Sequence, residues 1–209
     1  KFKILHDLQP IRVKYIIDQI KPKNIKDLNI LDLGCGGGLI CEPLSRLGAK
    51  VTGIDFVKQN IEVAKLHAFE NNLKINYFKQ DLDNLKLKNK FDIIIIFEVI
   101  EHLENIPNFI KNIKSHLKIN GKVLISTINR NIFSKILAIY FAENLLHWIP
   151  KNTHDYNKLV KPEELIEILK KENFVIKDLS GLFFNPIANS WKLSRTKTKI
   201  NYFCSAILN

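Results

Sequence analysis

The chain has 209 residues, 46% hydrophobic and 25% charged, with a formal net charge of +11. That length suits one domain with a sizeable core, and scattered lysines without an arginine-rich run or interleaved aromatics exclude a nucleic-acid stacking platform, so no nucleic-acid partner is expected. Cys35, Cys41 and Cys204 lack CxxC spacing and no stretch has the layout of a signal peptide, which points to a reducing interior.

The chain contains no Met and begins Lys1-Phe2-Lys3, so a native segment upstream is expected. Ile30 to Leu33 is a short apolar run ending in glycines, and Leu39 to Leu47 follows with helical spacing, which predicts strand, tight turn and helix. Val51 to Asp55 reads as a second strand, Ile61 to Asn71 as a helix and Ile75 to Phe78 as a third strand. Phe91 to Phe97 is apolar throughout, as in a strand buried on both faces. Pro107 to Leu117 predicts a helix, Gly121 a turn, and Lys122 to Thr127 a further strand. Lys161-Pro162-Glu163-Glu164 opens a helix, and Phe174 to Asp178 and Asn201 to Leu208 close the chain as strands. Strands alternating with helices predict an α/β fold in one domain spanning 1–209, with a doubly wound, mainly parallel sheet.

The glycine run Gly34-Cys35-Gly36-Gly37-Gly38 lies between a buried strand and a helix. Residues without a Cβ let backbone approach a ligand there, and Gly34 and Gly36 are candidate contacts. The dinucleotide fingerprint G-x-G-x-x-G would need glycine at Leu39, and the P-loop ending G-K-[ST] is absent, so NAD and ATP both lose ground. Asp55, ending the next strand, is placed to accept hydrogen bonds from both hydroxyls of a ribose; the plain alternative is a cap for the following helix. After the third strand, Asp81 or the Leu82 backbone is placed to meet an adenine, and Asp81 is otherwise an ordinary turn residue.

Glu98, Glu101 and His102 appear where the apolar fourth strand stops. Ligands of open parallel sheets bind outside the carboxyl ends of the strands, so this cluster should share a crevice with the glycine loop. Two carboxylates and an imidazole suit Mg²⁺, and a dication or a base would favour the reactive phenolate of a phenol. Helix-entry acids and a hydrogen-bonded histidine are the alternative.

Leu31 to Gly38, Val51 to Asp55, Val63 to Ala68, Glu98 to His102, Ser126 to Asn131, Pro150 to Asp155 and Gly181 to Pro186 together resemble the class I methyltransferases. Within them the chain is similar to the ubiquinone-biosynthesis O-methyltransferases, which methylate 2-polyprenyl-6-hydroxyphenol and 3-demethylubiquinol. The resemblance implies a Rossmann-like seven-stranded sheet and S-adenosylmethionine (SAM) as cofactor, contacted by Arg12, Gly34, Asp55 and Phe97. It also implies Mg²⁺ held by Glu98, Glu101 and His102, and family members carry a further N-terminal helix upstream of Phe2. His102 is the alternative direct base, and His154 in Thr153-His154-Asp155 is a second candidate base.

Asn131 to Pro150 carries Phe133, Ile136, Leu137, Tyr140, Phe141, Leu145 and Trp148 on one helical stripe. Lys135, Glu143, Asn144 and His147 interrupt it, which excludes a bilayer span and suits a helix lying in an interface. The expectation is a lid over 131–160 that reaches a polyprenyl-phenol or quinol substrate from an anionic membrane surface. That implies a cytoplasmic protein on the inner face of a bacterial inner membrane, alongside other ubiquinone-biosynthesis proteins. The rivals are a class I methyltransferase acting on RNA or another small metabolite, which the run Asn185-Pro186-Ile187 does not favour, and a non-catalytic membrane scaffold, against which Gly34 and Asp55 stand.

Overall fold

The computed structural model describes residues 3–21, 24–131, 158–185 and 190–209. In chain order the elements are α1 (Lys3–Ile20), β1 (Asn29–Leu33), α2 (Cys41–Arg46), β2 (Lys50–Asp55), α3 (Lys58–Glu70), β3 (Ile75–Lys79), β4 (Phe91–Phe97), α4 (Ile106–Lys114), β5 (Leu117–Ile128), α5 (Pro162–Lys171), β6 (Phe174–Asn185), β7 (Ser190–Ser194) and β8 (Asn201–Leu208). They build one sheet in the order β3-β2-β1-β4-β5-β8-β6-β7. Pairings from β3 through β5 are parallel, and β8, β6 and β7 are added antiparallel. This is the predicted mainly parallel α/β architecture, with one strand beyond the seven expected. The extra strand is β7, whose Ser-Trp-Lys-Leu-Ser offers only Trp191 and Leu193 as alternating apolar residues, too short a pattern to separate from a loop.

The apolar run of β4 explains the two layers. Side chains alternate across a strand, so Ile93, Ile95 and Phe97 pack with Tyr15, Ile16, Leu44 and Ile61 on the α1–α3 face. Ile94 and Ile96 pack with Phe109, Ile110, Ile113, Leu165 and Leu169 on the α4–α5 face. Each face needs a helical cover, which is why β4 reads as continuous rather than alternating.

Two predicted boundaries moved. Gly121 was expected as a turn; it lies inside β5, where Asn120 adopts φ +59° and the β4–β5 register shifts between Phe91 and Ile93. The turn chemistry is present, but the sheet absorbs it as an irregularity. The strand from Phe174 continues beyond Asp178 to Asn185 through a register shift near Asp178. At Gly181 a Cβ would stand 1.8 Å from the Lys197 carbonyl oxygen, so only glycine permits that approach.

The amphipathic stretch 132–150 and His154 lie outside the described residues. Among the described residues no helix is long and apolar enough to cross a membrane.

Candidate active site

The strand order reverses between β1 and β4, and the crevice outside their carboxyl ends is where an open parallel sheet admits a ligand. The glycine loop follows β1, Asp55 ends β2, the Glu98–His102 turn follows β4, and Ser126 and Thr127 lie near the end of β5. The topology therefore brings the predicted groups to one edge of the sheet.

The loop is shaped by φ values of +74° at Gly34, +53° at Gly36 and +89° at Gly38. The Ile54 carbonyl accepts from both Gly34 N (2.8 Å) and Cys35 N (3.0 Å), stapling the loop to β2. A Cβ on Gly34 would come within 2.4 Å of Val99 Cγ2, and one on Gly38 within 2.4 Å of the Tyr77 hydroxyl. Positive φ and close neighbours together make these positions glycine. The contact at Gly34 also shows that the turn after β4 is packed directly against the loop.

Asp55 is 5% exposed. Its Oδ2 accepts from Gly36 N at 2.9 Å, and its Oδ1 accepts from Val57 N at 2.8 Å and from Asn60 Nδ2 at 3.3 Å. It thus ties the loop to the strand end and to Val57 just before α3, and of its roughly four lone-pair sites about one, on Oδ2, is left for a ligand hydroxyl. Asp81 accepts from Asp83 N at 3.1 Å and caps a short 3₁₀ turn over Leu82–Asn84. Phe97 turns into the core, edge-on to Phe203 with ring centroids 5.3 Å apart, so what it offers a ligand is backbone.

The acid turn is built differently. Glu98 itself adopts φ +55°; the four other left-handed non-glycine residues among those described are Asn or Asp, whose short side chains tolerate that region, whereas a glutamate there stores strain. Glu98 Oε1 accepts from Ser126 Oγ at 2.8 Å and from Arg12 Nη2 at 3.2 Å. Glu101 is 3% exposed; its Oε2 accepts from Thr127 Oγ1 at 2.8 Å, and its Oε1 is buried without a partner. Burial, and then the neighbouring Glu98, push the Glu101 carboxyl up to about 8. Adjacent residues on β5 point to opposite faces, so Ser126 and Thr127 each take hold of one carboxylate.

His102 closes a 3₁₀ turn, its N–H donating to the Val99 carbonyl at 2.9 Å, and it is exposed. Glu98 and Glu101 are brought together and His102 is not gathered with them: among the described residues no group of three His, Cys, Asp or Glu side chains is disposed to hold a metal ion.

Arg12, expected on the cofactor, is found on Glu98. Gln9, one turn earlier on α1, donates to the Leu39 carbonyl at 2.5 Å, so one face of α1 spans both the glycine loop and the acid turn.

Sequence reasoning did not single out Asp32, Ser126, Thr127 or Cys41. Asp32 is buried under the loop and accepts from Cys41 Sγ at 3.2 Å; burial raises its carboxyl to about 7. A polar pair at the end of a parallel strand was the available signal for Ser126 and Thr127. Beyond the acid turn, between α4 and α5, lies an open groove of about 700 Å³ lined by apolar Leu103, Ile106, Leu159, Val160 and Ile168 and by polar Glu104, Asn105 and Lys158, with Arg130 and Glu164 also on its wall and ion-paired to each other.

A doubly wound sheet with a glycine loop after β1 and an acidic residue ending β2 is an architecture that the class I, SAM-dependent methyltransferases share with other nucleoside-binding folds, and the family match places this chain in the methyltransferase class. The profile of the family described as "Methyltransferase domain" matches residues 6–179. Magnesium protoporphyrin IX methyltransferase from Synechocystis PCC 6803, with bound S-adenosylhomocysteine (SAH), superposes with a TM-score of 0.72 at 19% identity, covering 98% of this chain and 83% of that one, which shows the shared fold. The ubiquinone biosynthesis O-methyltransferase of Rickettsia typhi is 49% identical over 205 residues, 97% of this chain and 83% of the relative. That of Pelagibacter ubique is 47% identical, covering all of this chain and 90% of the relative. The chain belongs to the ubiquinone biosynthesis O-methyltransferase family, and it is a SAM-dependent O-methyltransferase.

Proposed function

We propose that the enzyme transfers the sulfonium methyl of SAM to a ring hydroxyl of 2-polyprenyl-6-hydroxyphenol and of 3-demethylubiquinol. The observation that carries this reading is the convergence at one crevice of the Gly34–Gly38 loop, the Asp55 carboxylate and the Glu98–Glu101 pair. The loop's backbone and Asp55 hold the nucleoside, Asp55 accepting from a ribose hydroxyl through its remaining Oδ2 site; Asp81 or the Leu82 backbone meets the adenine, and Arg12 meets the methionine carboxylate. The acceptor ring stands over Glu98 and Glu101, with the first isoprene units in the groove between α4 and α5. Transfer is an in-line displacement, so alignment of donor sulfur, methyl carbon and acceptor oxygen is most of what the protein supplies. The phenol proton must leave, and the acid pair is the nearest candidate to receive it; His102 and His154 remain candidate bases.

The two carboxylates suit an oxygen-seeking cation, and the unpartnered Glu101 oxygen is a donor of the right kind. His102, the third expected ligand, is not assembled with them, so the residues as they stand do not make a three-ligand site. A bound Mg²⁺ would lower the pKa of the acceptor hydroxyl.

The test is incubation with methyl-labelled SAM and a short-chain polyprenyl catechol, with and without Mg²⁺. Labelled methoxy product is expected from the wild type and is strongly reduced at limiting SAM in Asp55→Ala; no transfer to the catechol would overturn the reading. Unaltered turnover after chelation would remove the metal from it.

The enzyme reaches its lipid substrate from the inner face of a bacterial inner membrane, supported by the +11 charge and the aromatic stripe within 131–150. Equal co-sedimentation of wild type and a Phe141→Asp, Trp148→Asp variant with anionic liposomes would overturn this.

A further inference from the structure

Arg12 is a largely covered but not fully buried cation with more donors than acceptors. Its side chain is 12% exposed and its Nη2 is held 3.2 Å from Glu98 Oε1, while its Nε is buried with no partner. A guanidinium is built for paired, bidentate carboxylate recognition, and Glu98 satisfies it through a single oxygen. Glu98, for its part, is the more exposed partner, with 31% of its side chain open, and it is held in a left-handed backbone state. The ion pair therefore joins a donor left short of acceptors to an acceptor in a strained turn. Its position matters: the Gln9–Leu39 hydrogen bond fixes the same face of α1 against the glycine loop, and Val99 of the acid turn covers Gly34.

We propose that Arg12 is an exchange arm. In the cofactor-free enzyme Glu98 holds it; when SAM binds, the methionine carboxylate takes Arg12 over in a two-point contact, and Glu98, still held by Ser126, is released toward the acceptor. The proposal rests on the reading above in which Arg12 meets that carboxylate. Two carboxylates contest one guanidinium, so occupancy of the cofactor site and availability of Glu98 are thermodynamically linked, and the linkage is reciprocal. Its consequence is coupling: the acid that faces the acceptor is free chiefly in the enzyme that holds the methyl donor.

The experiment is titration calorimetry with two ligands that share the nucleoside, SAH and 5′-methylthioadenosine, the second lacking the amino-acid portion. Each is measured on the wild type, Glu98→Gln, Arg12→Gln and the double variant, with thermal melts to establish that all four are folded. Glu98→Gln keeps the shape of the side chain and removes the competing charge. It should tighten SAH roughly three- to tenfold, the range of a partly buried ion pair, and leave methylthioadenosine within about twofold. In the Arg12→Gln background the tightening should vanish. Tightening of equal size in that background would mean simple repulsion by Glu98 and would overturn the exchange, as would equal tightening of both ligands or none for SAH. If the wild type binds neither nucleoside, the cofactor reading itself fails. If SAH binds and the cycle shows no coupling, only the exchange arm fails.

Discussion

The glycine loop and the acid turn sit side by side at the same sheet edge and are held in opposite ways. Positive φ in the loop falls on glycines, where it costs little, and Gly34, Cys35 and Gly36 all donate to neighbours within 3.0 Å. The acid turn places positive φ on Glu98, buries a carboxyl raised to about 8, and leaves one Glu101 oxygen without a partner. A binding surface can be formed in advance at low cost where its backbone N–H groups already have partners, even though the Tyr77 hydroxyl beside Gly38 has none. Groups that must change partners or protonation during a reaction are kept short of partners and under strain, at a cost to stability.

Breaking the loop should have the largest effect. Gly34→Val puts side-chain atoms into Val99 at a φ that a β-branched residue resists, and cofactor affinity measured by calorimetry should fall on the order of 100-fold. Asp55→Ala strips acceptors from the N–H groups of Gly36 and Val57 and from the ribose. Affinity should drop about 30-fold, with a loss of about 1–3 kcal/mol in denaturant unfolding. On the acid turn, Thr127→Val removes the donor to Glu101 while conserving shape. Stability should fall by about 1 kcal/mol and turnover should fall too, with SAH affinity unchanged; a matching loss of affinity would show that the two regions are one unit.

The smallest effect tests the buried acid under the loop. The Asp32 carboxyl is raised to about 7 by burial, above the ordinary value near 3.9. Between those values the folded chain holds a proton that the unfolded chain has lost, so its contribution to stability declines as pH rises from about 4 to about 7 and is constant beyond. Asp32→Asn removes that decline. The stability difference between variant and wild type should move in the variant's favour across this window and level off above pH 7. A difference independent of pH would show that Asp32 is ionised in the fold.

Much of this was legible in the sequence because it is written locally. The apolar run of β4, the glycines between β1 and α2, Asp55 at a strand end and the acids where β4 stops are patterns within a few residues. The parallel pairing and the shared crevice follow from them once strands alternate with helices, whereas the strand order is read only from the fold. β7 and the long β6 were not legible, since two alternating residues carry little periodicity and sheet pairing overrides turn signals such as Gly181.

Sequence alone thus determined the fold class, the loop and the identities of the acids. The tertiary structure decided how the acids are held. Arg12 meets Glu98 across 86 residues and Ser126 meets it across 28, and contacts that distant leave no periodic trace. Nor does a sequence say that a glutamate must take a glycine's backbone conformation; that is imposed by packing on both sides of the turn, with Val99 over Gly34 and Glu101 sealed beneath Thr127.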